Sequence, residues 1–232
     1  MNVDFHTHIL PCIDDGSSSV EESLELLRLL QQQGISVAVA TPHFYPHKDR
    51  PEKFLERRNR AFQQLKRAIS DEQLPEIILG AEVYYFNGIS HWDGIKDFTI
   101  GDTNYMLLEM PATKWTDRMF SDIQDIYIKH GIIPIIAHIE RYINIFNSRK
   151  ILEKLTQSKV IIQCNCSFFA QHSKMALKML KNGYIDIIAS DCHNTVSRKP
   201  DLARTREFIW AQLGEEYINS IQLTEKTILS KI

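Results

Sequence analysis

Five of the nine histidines in this 232-residue chain stand at the ends of short apolar runs. His6-Thr7-His8 closes one run, Thr41-Pro42-His43 another, Ile136-Ala137-His138 a third, and Ser190-Asp191-Cys192-His193 the last. Carboxylates hold the same place in Gly80-Ala81-Glu82 and Leu107-Leu108-Glu109. A strand's two-residue period puts His6 and His8 on one face. In such apolar surroundings a carboxylate or imidazole is costly to bury unless it is paired or holds a metal. Taken singly, each histidine reads more naturally as a hydrogen-bonded core or surface residue. Six strand ends carrying such groups together read as a metal site. With nitrogen and oxygen donors and no required thiolate, manganese, iron or zinc suits it better than an iron–sulfur cluster. Eight or nine donors exceed what one ion needs, which implies two or three ions and a bridging carboxylate.

Two arginines follow these donors closely. Arg141 lies three residues past His138 and Arg198 five past His193. A guanidinium beside a metal cluster suits phosphate, because its fork matches two phosphate oxygens. The competing reading of each is a solvated loop arginine. His47, His91, His130 and His172 fall in loops or at helix ends and carry no such expectation.

Positioning these groups requires regular elements, and the chain alternates between β-branched runs and helical patterns. Strands are expected at 2–6, 37–43, 77–85, 105–110, 132–138, 160–165 and 185–190. Helices are expected at 19–33, 51–69, 117–130, 149–158, 174–182, 202–213 and 215–230. Ser19 with Glu22 forms a capping box, Leu24, Leu27 and Leu30 form an apolar face, and Gly34 ends the first helix. His130-Gly131 ends another in the same way. Strands separated by helices imply parallel βαβ crossovers. Seven such units closing on themselves give a barrel related to the (β/α)8 type, with an open doubly wound sheet as the alternative. No Gly-rich dinucleotide loop follows the first strand, which favours the barrel. In either architecture the C-terminal strand ends converge.

Bulk properties set the remaining bounds. The length fits a single domain over 1–232, and no repeat, linker or low-complexity segment stands out. Hydrophobic content of 44% supports a sizeable core, and a net charge of −2 argues against nucleic-acid or anionic-membrane binding. The longest apolar run, 131–137, reads as a buried strand, and no stretch reaches membrane-spanning length. The first residues lack a signal-peptide pattern, so a cytoplasmic location is expected. Cys12, Cys164, Cys166 and Cys192 are too few for a disulfide framework, and the Cys164-Asn165-Cys166 spacing does not suit structural zinc.

Read together, His6-Thr7-His8 with Asp14-Asp15-Gly16, Thr-Pro-His43, Gly-Ala-Glu82, Leu-Leu-Glu109-Met, Ala-His138-Ile-Glu-Arg141 and Ser-Asp191-Cys-His193-Asn194 resemble the polymerase-and-histidinol-phosphatase superfamily. Within it, the chain looks most like the bacterial manganese-dependent protein-tyrosine phosphatases of capsule and exopolysaccharide biogenesis. The resemblance runs in order from residue 1 to about 200. It implies a distorted (β/α)7 barrel whose metal cluster sits at the C-terminal strand ends. By analogy, His6, His8, Glu82 and Asp191 would hold a first ion. Glu82, Glu109 and His138 would hold a second, and Asp15, His43 and His193 a third. Spacing alone prefers Asp15 to Asp14. Arg141 and Arg198 would hold the phosphate while an activated water attacks phosphorus and a phenolate leaves. The implied partner is a phosphotyrosine protein, the tail of a bacterial tyrosine kinase.

Other readings compete. A histidinol-phosphate or other small phosphomonoester phosphatase, or a nuclease, could use the same scaffold; a non-catalytic metal-binding domain is a third possibility. Cys192-His-Asn-Thr-Val-Ser-Arg198 also fits the Cys-x5-Arg signature of thiol phosphatases, although its loop contains no glycine. Trp92, Trp115 and Phe44 follow strand ends, where either stacking on a substrate ring or ordinary loop packing would explain them.

Overall fold

A computed structural model describes residues 2–69, 72–143 and 148–230, which include all eleven expected site residues. The chain opens with β1 (Val3–Thr7), α1 (Val20–Gln32), β2 (Val37–Ala40), β3 (His43–Phe44) and α2 (Pro51–Ala68). It continues through β4 (Glu76–Leu79), β5 (Glu82–Tyr84), two 3-10 turns at Ile89–His91 and Asp93–Phe98, β6 (Tyr105–Glu109), α3 (Asp117–His130) and β7 (Ile133–Ile136). Next come α4 (Glu140–Ile143), α5 (Ser148–Thr156), β8 (Ile161–Asn165), α6 (Cys166–Gln171), α7 (Ser173–Lys181) and β9 (Ile187–Ala189). Helices α8 (Leu202–Leu213) and α9 (Glu215–Leu229) close it.

All strand pairing is parallel, in the orders β1-β2-β4 and β3-β5-β6-β7-β8-β9. Two of the expected strands are each broken in two. Thr41-Pro42 separates β2 from β3, where proline lacks a ladder N–H; Gly80-Ala81 separates β4 from β5. Because β2 pairs β4 and β3 pairs β5, the broken strands carry the sheet round a corner. The ring closes where the Asp191 N–H donates to His6 O at 2.9 Å and the His8 N–H donates to Cys192 O at 2.9 Å. Seven strand positions therefore surround one interior, in an α/β fold with helices outside.

Side-chain alternation explains the layers. Val37 and Val39 join Val3, Phe5, Leu107 and Ile135 in the interior, whereas Ala38 and Ala40 face Leu26, Leu27 and Leu30 of α1. Small outward residues let the helix approach closely. Ser19 caps α1 by accepting from the Glu22 N–H at 3.2 Å. The returning carboxylate accepts from Ser18 N at 2.9 Å instead of Ser19, one residue earlier than an ideal capping box. Gly131 ends α3 at φ 68°, as the sequence led us to expect. Among the described residues, no helix is long and apolar enough to cross a membrane.

Candidate metal centre

The register of β1 against β2 shifts between Asp4 and Thr7, an irregularity of the kind that re-aims a side chain. His6, within that stretch, meets Glu82 Oε2 at 3.2 Å and Asp191 Oδ1 at 3.4 Å, and its Nε2 lies 3.1 Å from that of His8. His138 Nε2 lies 2.8 Å from Glu82 Oε1 and 3.7 Å from Glu109 Oε1. His43 presents Nδ1 to Glu82 at 2.9 Å and Nε2 to Asp15 at 3.4 Å. His193 stacks on His8, centroids 3.9 Å apart, and its Nε2 lies 3.6 Å from Asp15 Oδ1. His138 and Asp191 hold positive φ values of 34° and 53°. Such backbone strain in non-glycine residues gathers at functional sites.

Neighbouring groups fix which imidazole nitrogen faces the centre. His6 Nδ1 lies 3.3 Å from Gln163 Oε1, an acceptor, so that nitrogen carries a proton and Nε2 is the one turned to the centre. His8 Nδ1 likewise donates to Asp14 Oδ2 at 2.7 Å, and His193 Nδ1 to Asp191 O at 2.9 Å. Asp14 also accepts from the N–H groups of Gly16 at 2.9 Å and His43 at 3.0 Å. Asp14 is therefore an orienting group, while the more exposed Asp15 faces His43, His193 and Arg198. A Cβ on Gly16 would stand 2.3 Å from His8 O, which explains the glycine after the acidic pair.

The centre is short of positive charge. Burial alone would raise Glu82, but the His6 charge, the hydrogen bond from His138 and the nearby His43 imidazole hold it well below the usual carboxylate range. Burial and the Glu82 charge push Glu109 up to about 7. Although burial disfavours their cations, the surrounding carboxylates pull His6 upward and His8 up to about 10. Burial and the His8 charge instead push His193 down to about 4, which keeps its lone pair available.

Glu82 Oε2, Glu109 Oε2, His43 Nδ1 and His193 Nε2 are among ten buried side-chain atoms of the described residues without a hydrogen-bond partner, and these four gather in one place. Buried polar atoms are rarely left so. Among the described residues, three sets fall within coordinating reach, donor atoms in each lying within 4.8 Å of one another: His8-Asp15-His43-His193, His6-His8-Glu82 and His43-Glu82-Glu109. The orphaned atoms and the nitrogen–oxygen donor chemistry both fit divalent cations.

Arg141 in α4 and Arg198 reach the centre from one side. Their Nη2 atoms donate to Asp191 Oδ2 at 2.7 and 2.8 Å, and Asn165 Nδ2 donates to the same oxygen at 2.9 Å. Asn165 in turn accepts from Gln163 Nε2 at 2.8 Å, and Gln163 Oε1 accepts from the His138 N–H at 2.8 Å. Gln163 and Asn165 lie in β8, the strand for which the sequence suggests no chemical residue. Their signal was two amides at i and i+2 within an apolar strand. Tyr142, also unmarked in the sequence, places its hydroxyl 3.2 Å from His138 Nδ1.

The structure brings all eleven expected residues together and leaves other candidates outside. Phe44 and Trp115 are buried in the main apolar cluster and Trp92 packs against it, so loop packing accounts for all three. Cys192 has no exposed surface and packs with Ile9, Leu10 and Leu202. Burial raises its thiol pKa, the reverse of what a thiolate nucleophile needs.

Relatives carry the same architecture. The fold matches a crystal structure of the pair YwqE from Bacillus subtilis and CpsB from Streptococcus pneumoniae, described as unique metal-dependent tyrosine phosphatases. The TM-score is 0.86 at 25% identity, covering 99% of this chain and 94% of that one. The chain is 30% identical over 208 residues to the tyrosine-protein phosphatase YwqE of Bacillus subtilis, covering 84% of this chain and 79% of that protein. It is 29% identical over 229 residues to the tyrosine-protein phosphatase CpsB of Streptococcus pneumoniae, covering 91% of each. Residues 2–229 match the family described as capsular polysaccharide synthesis, CpsB/CapC, and to that family the chain belongs.

Proposed function

We propose that this chain is a metal-dependent phosphomonoesterase that hydrolyses phosphotyrosine in proteins. The observation that carries the reading is the convergence of seven imidazole and carboxylate donors in overlapping sets, with His138 and Asp191 against Glu82 and His6, beside two guanidiniums that share Asp191 Oδ2. His6, His8, Glu82 and Asp191 would hold one divalent ion, Glu82, Glu109 and His138 a second, and Asp15, His43 and His193 a third. Such ions, manganese foremost with iron or zinc also suited, supply positive charge for phosphoryl oxygens and lower the pKa of water.

The chain's own groups do the rest. Arg141 and Arg198 are half-exposed and already side by side, so an arriving phosphate exchanges one shared carboxylate oxygen for its own oxygens. Their charge then opposes the negative charge that grows in the transition state. Asn165 keeps a hydrogen bond on Asp191 when the guanidiniums turn away. Tyrosine is a fair leaving group because its phenol pKa is about 10, so a strong general acid is less necessary than for a serine ester. Open clefts of about 510 and 470 Å³ flank the centre, which suits a side chain presented by a protein. The tail of a bacterial tyrosine kinase controlling capsule or exopolysaccharide export, met in the cytoplasm, is the substrate this reading favours, with residues 1–232 working as one domain.

Phosphate release from a phosphotyrosine peptide, a phosphoserine peptide and histidinol phosphate, each with Mn²⁺, tests the reading. Selective turnover of phosphotyrosine is expected. Preference for histidinol phosphate would move the assignment to the small-phosphomonoester branch, and no turnover of any would remove it.

A further inference from the structure

The mouth of the metal centre has two unlike sides. Arg141 and Arg198 form one. In a second cleft, Tyr45 follows His43 by two residues and stacks on its imidazole, centroids 5.1 Å apart and planes 26° apart. Tyr84 stands two residues beyond Glu82 in β5, so the strand period sends both to the same face. Its ring lies 5.5 Å from that of Tyr45. His47 completes the group, 5.8 Å from Tyr45 and 6.3 Å from Tyr84. Both tyrosines are half-buried, whereas Phe44 between His43 and Tyr45 turns into the core. A cleft lined by Asp15, His43, Tyr45, Lys48 and Arg57 opens here.

We propose that Tyr45 and Tyr84 form an aryl subsite, which receives the phenyl ring of the substrate while Arg141 and Arg198 take its phosphate. The inference rests on the phosphotyrosine reading and deepens it, by naming the residues that distinguish an aryl from an alkyl ester. Aromatic rings favour tilted or offset contacts at 4.5–7 Å between centroids. Tyr45 and Tyr84 already meet in that geometry at 51°, so a third ring extends an existing cluster. The arginine-side cleft offers no exposed phenyl ring: Phe168 is buried, and the ring it pairs with is the imidazole of His172. Lys48 Nζ lies 4.5 Å from the Tyr45 centroid. An exposed cation–π contact of this kind contributes a factor of about two to five in affinity, so an arriving ring can displace it.

The test compares binding of phenylphosphonate and methylphosphonate to the full chain loaded with Mn²⁺, by calorimetry. The wild type should prefer the phenyl ligand by about tenfold, and a Tyr45→Leu/Tyr84→Leu variant should lower that ratio to about twofold. Tyr45→Phe/Tyr84→Phe should keep it, since the rings and not the hydroxyls make the subsite. A ratio cancels general damage to the metal centre. Should the leucine variant fail to fold, a structure of the wild type with phenylphosphonate decides, by the presence or absence of its ring within about 7 Å of both tyrosines. An unchanged ratio in a folded leucine variant, or a ring bound elsewhere, overturns the subsite. If phosphotyrosine is not hydrolysed yet the phenyl preference exists and collapses in the leucine variant, the subsite stands and the phosphatase reading falls.

Discussion

Glu225 in α9 and Glu82 in β5 both carry carboxyl groups with no exposed surface, yet they are held in opposite ways. Glu225 meets one guanidinium, Arg206 Nη2 at 2.7 Å, and burial still pushes its pKa up to about 7. Glu82 meets four imidazoles, with His138 at 2.8, His43 at 2.9, His6 at 3.2 and His8 at 3.4 Å. Those imidazoles outweigh burial and keep Glu82 anionic. Glu225 thus has a single charged partner and tends toward neutrality. Glu82 is instead kept ionised among imidazoles, an arrangement suited to binding cations.

The strongest way to break this contrast is Glu82→Gln. It should lower turnover of an aryl phosphate by roughly a thousandfold or more, with a matching fall in bound metal. Near-normal turnover would place Glu82 with Glu225 as a structural charge. Arg141→Ala should cost about a hundredfold in kcat, the scale for losing one transition-state donor; unchanged kinetics would return Arg141 to a solvated loop role.

Glu225 yields a pH prediction. Between pH 4.5 and about 7 the folded chain holds a proton here that the unfolded chain has lost, so its contribution to stability falls as pH rises through that window. The loss is at most roughly 3 kcal/mol. Glu225→Gln should flatten this part of the stability profile in denaturant titrations at pH 5 and 7.5, and leave turnover within about threefold. A profile as steep as that of the wild type would show that Glu225 titrates normally. The smallest change is expected of Cys192→Ser, whose turnover should stay within about threefold and whose stability should fall by about 1 kcal/mol, the modest cost of burying a hydroxyl. Loss of activity in the folded variant would revive the thiol mechanism.

Much of this site is legible in sequence because each donor ends an apolar β-branched run. Burial and charge are in visible conflict at Glu82, Glu109 and His138, and only function resolves it. Short elements hide instead. The four-residue α4 that carries Arg141 and the six-residue α6 are too brief for a helical period to emerge. The breaks at Thr41-Pro42 and Gly80-Ala81 fall within patterns that read as continuous strands. Gln163 and Asn165 were overlooked because a neutral amide creates less conflict than a charge. Asp14 and Asp15 are adjacent and chemically alike, so only the path of the loop over Gly16 separates the orienting group from the one that faces His43 and His193. Tyr45 was hidden by its neighbour Phe44, since aromatic type alone does not reveal which ring turns inward.

Whether the donor cluster binds ions that turnover requires is tested most directly by one titration. Chelated protein is given Mn²⁺ in steps while bound metal and p-nitrophenyl phosphate hydrolysis are followed together, beside a thiol-alkylated sample. Activity should vanish on chelation, return as two to three equivalents bind, and ignore alkylation. Full turnover in the metal-stripped protein, abolished by alkylation, would contradict the metal centre and move the chemistry to a cysteine.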